Sequence, residues 1–521
     1  MEAPVPGSRT GGAPPPGGGP APEGDTPATG HGRVNHLLEE AILPTWLTQR
    51  PISVWGFAWI WVGLAVVIVT FQYGANGVEG GVPLAQVMAV VFAATAALAI
   101  VMTLSADIGT EHGLSFAVYL RAPFGTVGTH FPSVSRGLVA ACWFGIQTYL
   151  GALAINGLVE YWTGFAFWPL WYAVFLAVQV VNVALGIKAV ERLASLAAPC
   201  ILAISLWMYL TLDGVAELEG TNIWTFAGEG DTTLIALFLV NMVVWAPLAV
   251  DIPNITRFVA TAPGRRGFLR RNRNVIVAQF AVLPVMQTWI AFIGAVSFIV
   301  TGNWNPIDVI REQSTGAVLG VLLVMVLLAQ WSTNTAANVV PAALNFVNAF
   351  APRLSYRMGV VLAGVVGTAV MPWLLLDNLF TFLSYYGGFI AAIAGIMIAD
   401  YYVLRRRRVN VPDLYRPDGQ YRYARGFNPA ALIAWFSASA IALWQPDYAY
   451  IIGFPVAFTA YLVLMKAWIL PRHPQAEIGA ERPDDYLATS VGASWVYDSA
   501  TDTFSRPAVA ELPQDGARSD I

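Results

Sequence analysis

The sequence predicts an all-α integral membrane protein with about twelve transmembrane helices, on three observations. Of its 521 residues 56% are hydrophobic and only 12% charged, with a mean hydropathy of +0.59, too apolar for an ordinary soluble domain. Runs of ~20 apolar residues, enough to cross a bilayer core, recur at roughly 54–75, 84–105, 135–158, 167–187, 191–212, 232–251, 275–301, 316–345, 358–376, 379–403, 429–445 and 449–469. The basic residues, all but Lys188 and Lys466 arginine, fall in every second connection. Arg121 and Arg136, then Lys188 and Arg192, then Arg257 to Arg273, then Arg353 and Arg357, then Arg405 to Arg425 occupy the even connections, whereas the odd ones together hold Arg311 alone. By the positive-inside rule the even loops and both termini are cytoplasmic, as in a multi-pass protein of the cell membrane.

Residues 1–50 are expected to form a cytoplasmic N-terminal tail, 51–470 the transmembrane domain and 471–521 a cytoplasmic C-terminal tail. The first 34 or so are rich in Gly, Pro and Ala and are expected to be largely disordered. They contain no apolar stretch of signal-peptide type. His36 to Arg50 are expected to form a short surface helix. Cys142 and Cys200 lie in apolar runs and suit neither a disulfide framework nor a metal motif. The five histidines, His31, His36, His112, His130 and His473, are spread over tails and loops. With no nucleophile, base or metal set in view, an integral membrane enzyme is the weaker reading. A channel would want polar lining along several helices, but the polar residues here cluster at one depth.

Along the chain, the first span offers few polar side chains. Any ligand group it supplies is backbone, and Gly63 permits close approach or unwinding there. In the third span Trp143, Gln147 and Gly151 fall at i, i+4 and i+8, on one face. An indole beside a carboxamide can hold a flat amide ring, by stacking on its face and hydrogen bonding to its edge. A core tryptophan with Gln147 bonded to a neighbouring helix is the alternative. In the sixth span Pro247 is expected to interrupt the helix. Trp245 precedes the break, with Asn241 one turn earlier on its face. Asp251, near the cytoplasmic end, is either functional or paired with Arg257 or another loop arginine.

The eighth span carries the densest polar run, Ala329-Gln330-Trp331-Ser332-Thr333-Asn334-Thr335-Ala336-Ala337-Asn338. Such groups are costly in lipid unless they are paired or line a wet cavity. Ala329, Ser332 and Thr333 share one face, and Asn334 and Asn338 another. This suits a small hard cation on one side and a polar neutral ligand on the other; interhelical hydrogen bonding is the alternative. Spans one and six look like counterparts, as do three and eight. An inverted repeat of five plus five helices, with its site between discontinuous helices, would give that pattern.

Taken together, Arg121-Ala122-Pro123-Phe124-Gly125, Trp143 to Thr148, Trp331 to Asn334 with Ala336-Ala337-Asn338, Ala394 to Tyr401 followed by Arg405 to Arg408, and Asp413 to Arg416 resemble the nucleobase–cation symporter family of purine, cytosine, allantoin and hydantoin permeases. The resemblance runs from about 50 to 470 and is strongest to the bacterial sodium–hydantoin branch. It implies a LeuT-like fold of ten core helices plus two, and secondary active import of a flat amide-bearing heterocycle by alternating access. It further implies substrate stacking by Trp143 and Trp245 and amide binding by Gln147 and Asn338. A sodium site of Gly63 and Val66 carbonyls with Ala329, Ser332 and Thr333 is also implied. Two departures affect the substrate side. Val67 stands where the hydantoin branch has glutamine. Val244 stands where it has glycine, with Asn241 as a candidate replacement carboxamide. The expected partners are a small heterocyclic solute and the lipid bilayer, with no nucleic acid. The chain is expected to act as a monomer without a cofactor, Na⁺ being its coupling ion and H⁺ the alternative.

Overall fold

The first span is broken just past Gly63. Helix Val54–Ala65 ends, and helix Ile68–Glu79 resumes at a 60° bend. Val67 at the break is extended, with φ −103° and ψ 139°. The outer half is pressed against the seventh span, Arg273–Thr301. A Cβ on Gly74 would lie 1.7 Å from the Ala291 carbonyl oxygen, and one on Gly294 2.0 Å from that of Phe71. The two backbones therefore touch, and glycine alone leaves room for that. In this computed structural model the described residues are 37–512, apart from 39, 66, 185, 186, 351 and 352.

Among the described residues seven helices are long and apolar enough to cross a bilayer, and eight with the bent pair counted as one span. Three shorter apolar helices, Trp168–Ala184, Tyr356–Ala369 and Pro429–Leu443, and the long helix Ile187–Glu219 fill the remaining places of the expected series. The ninth span is shorter than expected. It ends at Ala369, and Met371 takes a left-handed φ of 50° before Pro372 begins a separate turn. Spans one, two, six and seven pack together, as do three, four, eight and nine, while ten, eleven and twelve form a further layer.

The sixth span, Leu234–Asp251, corrects one expectation: it runs unbroken through Pro247. A proline lacks the N–H that would bond the carbonyl four residues back, here that of Val243. The Tyr386 hydroxyl, from the tenth span, donates to that carbonyl at 3.3 Å. With the orphan acceptor satisfied from outside, the helix keeps its course. The eighth span does change character. Helix Gly316–Asn334 passes into a π turn, Thr335–Val339, and resumes as Val340–Phe350.

The arginine-rich end is densely wired. Arg50 Nη1 donates to the Thr110 carbonyl at 2.7 Å. Arg271 pairs with Asp107 and, at 3.0 Å, with Glu111, all fully buried. The expected surface helix over 36–50 is instead two 3-10 turns, Glu40–Ile42 and Leu47–Gln49, with Leu37 and Ile42 buried. The C-terminal segment folds back on this end. Ser490 Oγ donates to Glu111 at 2.7 Å, and buried Glu477 is held by Arg405. Tyr421 also donates to Glu477, at 2.7 Å. Burial and that carboxylate hold the phenol well above its ordinary pKa, so it remains a donor. Strands β1 (Val496–Asp498) and β2 (Thr503–Ser505) close the segment as an antiparallel hairpin, Val496 opposite Ser505. At the opposite end Arg311, the lone basic residue expected there, pairs with Glu160 at 2.7 Å.

Candidate functional site

A small cavity opens beside the break in the first span. Its walls come from spans one, three, six and eight, the two pairs that the sequence pattern relates. From the sequence-derived substrate residues the fold brings Val67, Trp143, Gln147, Trp245 and Asn338 to this one space, and Val244 with them. Trp143 and Trp245 are 7% and 6% exposed, enough to show an indole face to a ligand but no more. Trp245 is fixed from behind: its Nε1 donates to Gln287 Oε1 at 3.1 Å, and Trp61 meets it edge-on with centroids 6.3 Å apart.

The carboxamides divide into supporting and facing groups. Asn334 Nδ2 donates to Gln179 Oε1 at 2.9 Å and to Thr148 Oγ1 at 3.1 Å, tying spans eight, four and three together. Asn334 Oδ1 in turn accepts from Asn338 Nδ2 at 2.9 Å. Asn338 is thereby oriented and keeps one N–H and its carbonyl oxygen for a ligand. The π turn around Asn338 is an irregularity often found where a side chain must face a site. Gln147 Oε1 is buried with no partner among the described residues, and an unspent acceptor of this kind suits a ring N–H.

Asn241 does not join the site. It is fully buried, and its amide donates to the Leu237 carbonyl of its own helix at 2.8 Å, away from the cavity. Arg136 is a second correction. The arginine count assigned it to a loop, yet it lies within the third span, His130–Thr163. It lines the cavity and pairs with Asp251 at 3.0 Å. Asp251 is thus bound by Arg136, while Arg257 bonds the Leu43 carbonyl. Sequence reasoning also missed Thr70, Tyr73 and Gln287. Thr70 and Tyr73 lie just past the break and line the cavity. Gln287 carried one signal, a carboxamide inside an apolar run that holds just one other, Gln279.

On the cation side, the Thr333 hydroxyl lies 2.7 Å from the Gly63 carbonyl oxygen and 3.0 Å from that of Ala329. Ser332, the neighbouring hydroxyl residue, is buried as well. Val66 lies outside the described residues. Among the described residues no group of three or more His, Cys, Asp or Glu side chains gathers. The donor set that this part of the fold offers is neutral oxygen from spans one and eight, which fits a monovalent hard cation.

A helical membrane bundle with a broken first span, enclosing an aromatic and carboxamide-lined cavity between spans one, three, six and eight, is a secondary transporter of the inverted-repeat class. The family described as permeases for cytosine/purines, uracil, thiamine and allantoin matches residues 46–470, and the chain belongs to it. A hydantoin permease of Microbacterium maritypicum is 32% identical over 461 residues, 87% of this chain and 93% of that protein. An allantoin permease of Bacillus subtilis (strain 168) is 26% identical, covering 86% and 96%. Among solved structures, a nucleobase-cation-symport-1 family transporter, closed with bromovinylhydantoin bound, superposes with a TM-score of 0.78 at 30% identity. That match covers 86% of this chain and all of the other. The chain is accordingly a multi-pass membrane permease and no enzyme, with the all-α LeuT-like architecture that the resemblance implied.

Proposed function

We propose that this permease imports a flat, amide-bearing heterocycle of the hydantoin, nucleobase or allantoin class by Na⁺ symport with alternating access. The observation that carries the reading is the single cavity on which Trp143, Gln147, Trp245 and Asn338 converge. The ring stacks between the indoles, and its urea-like edge meets Gln147 and Asn338. The relatives named for hydantoin and allantoin support this class. The protein works as a monomer in the cell membrane, with both termini in the cytoplasm. The loop arginines support that orientation. A proton-coupled variant draws support from one observation, the buried Asp251 beside the cavity.

Uptake of labelled uracil, cytosine, allantoin and benzylhydantoin into vesicles, with and without a sodium gradient, tests the reading. Sodium-driven uptake of at least one is expected; accumulation of none would overturn it. The carboxamides set affinity for the edge. Leaving a buried ligand group unpaired costs about 1–3 kcal/mol, so Gln147→Leu and Asn338→Leu should each raise the dissociation constant by about tenfold or more. Unchanged affinity in both would remove them from the site. Val244 adds bulk where a glycine stands in the hydantoin branch, and Val67 replaces a carboxamide by an apolar edge, both in the cavity lining. Unsubstituted nucleobases and allantoin should therefore outcompete bulky 5-aryl hydantoins, and a panel in the reverse order would contradict this.

A further inference from the structure

A second cavity lies against the other side of the first span, lined by Ile68 and Phe71 of its outer half, by Val326, Ala329 and Gln330 of the eighth span, and by Pro306. Ile68 and Phe71 are three residues apart and share one helical face. Val69, Thr70 and Tyr73, which line the substrate cavity, share the opposite one. The half-helix Ile68–Glu79 thus stands as a wall between two cavities. Gln330 is the polar side chain of the second. It is 0% exposed, and neither its Oε1 nor its Nε2 has a partner among the described residues. Native folds rarely leave both halves of a buried carboxamide idle, because each costs free energy when unpaired. The cavity also adjoins the cation side of the break. Ala329, whose carbonyl oxygen lies 3.0 Å from the Thr333 hydroxyl, belongs to its wall. Gln330 precedes Thr333 by three residues, on a neighbouring face and about 4.5 Å along the axis. Val326 stands one turn further on. Pro306 begins the helix Pro306–Gln313, which carries Arg311 at the end of the bundle away from the arginine cluster. The lining residues therefore lead from the cation-facing oxygens towards that end.

We propose that this second cavity is an outer station for the coupling cation, where the Gln330 carbonyl oxygen takes up a partly hydrated Na⁺ before the ion passes to the oxygens of Gly63, Ala329 and Thr333. The proposal rests on the sodium reading above and adds to it a second site, reached without crossing the substrate cavity. The chemistry of the wall selects the occupant. An apolar molecule would leave both amide groups idle. An anion would find no positive charge in the lining and would face the backbone carbonyl oxygens next door. A bare cation would lose too much hydration among Ile68, Phe71 and Val326. A cation that keeps part of its water shell gains the amide oxygen as one ligand and leaves the amide N–H groups to its waters. One neutral oxygen holds such an ion weakly, which suits a station and not a final site.

Binding of radiolabelled sodium to the purified full chain tests this, first at equilibrium and then as release into unlabelled sodium. A station lowers the barrier in both directions, so its loss changes rates and spares affinity. Gln330→Leu keeps the bulk and removes the oxygen. Its release of label should slow by about tenfold or more, the rate counterpart of losing one buried oxygen ligand, while its equilibrium affinity stays within about twofold of native. Val326→Phe, one turn from Gln330 on the same face, fills the cavity and leaves the carboxamide in place; it should slow release as well. Release at the native rate in either variant would overturn the assignment. So would weakened equilibrium binding in a Gln330→Leu sample that elutes like the native protein, since that result would make Gln330 part of the final site. Absence of sodium binding by the native chain would instead refute the sodium reading itself, and the station with it.

Discussion

Trp143→Ala and Trp245→Ala, each inserted normally in the membrane, are expected to lose measurable substrate binding and uptake. The two indoles come from opposite halves of the bundle, spans three and six, and both line the cavity. In the proposed site each would contribute stacking, worth on the order of 1 kcal/mol beyond area burial, and the shape that keeps water from the ring edge. Truncation of a central aromatic anchor typically costs at least ~2 kcal/mol and often more, a loss of about thirtyfold or greater. Trp143→Phe and Trp245→Phe should retain part of the affinity, since a smaller π face remains. Trp245 also depends on Gln287, whose Oε1 accepts its Nε1–H at 3.1 Å. Gln287→Leu should weaken binding less than Trp245→Ala, by loosening the ring without removing it. Ligand titration on the purified variants, after size-exclusion confirms their fold, measures this series. Normal transport by both alanine variants would place the site elsewhere.

Much of this site was legible in the sequence because a membrane helix has so few reasons to carry a polar group. Trp143, Gln147 and Asn338 stood out against apolar runs, and helical spacing placed them on faces that the fold turns towards one cavity. Spacing says which residues share a face, however, and not what that face meets. Asn241 shares a face with Trp245, but its buried amide takes the nearest acceptor, the Leu237 carbonyl one turn back. Pro247 was expected to break its helix, and the group that prevents this is Tyr386, whose hydroxyl reaches Val243 from the tenth span. Arg136 reads as a loop residue because a lone arginine near a span end ordinarily belongs to the loop. Its buried position is stabilised by Asp251, more than a hundred residues away, in a contact that no local pattern encodes. The eighth span held both of its readings at once. Asn334 is an interhelical hydrogen-bonding residue, as the plainer alternative had it, and Asn338, one turn on, faces the cavity.

Sodium is expected to tighten substrate binding, and Thr333→Ala is expected to abolish that effect. The Thr333 hydroxyl donates to the Gly63 carbonyl at 2.7 Å, which joins the end of the first span's inner helix to the eighth span, and lies 3.0 Å from the Ala329 carbonyl of its own helix. A cation held by these oxygens would fix the break in the first span, and Val67, the residue after it, lines the substrate cavity. Ion and substrate would thereby favour the same arrangement of two elements, a coupling free energy that must be reciprocal. Substrate should tighten sodium binding by the same factor that sodium tightens substrate. A coupling of ~1–3 kcal/mol would appear as a shift of about five- to 150-fold. Thr333→Ser keeps the oxygen and should keep most of the shift, whereas the alanine variant should bind substrate at its sodium-free affinity whatever the salt. Hydroxyl and carbonyl oxygens neither gain nor lose a proton at physiological pH, so this ligand set favours sodium over a proton. The discriminating titration varies sodium against choline at fixed pH and ionic strength. If affinity stays flat in sodium, uptake follows the pH gradient and Asp251→Asn blocks it, then the proton is the coupling ion and the oxygen cluster around Thr333 merely locks two helices together.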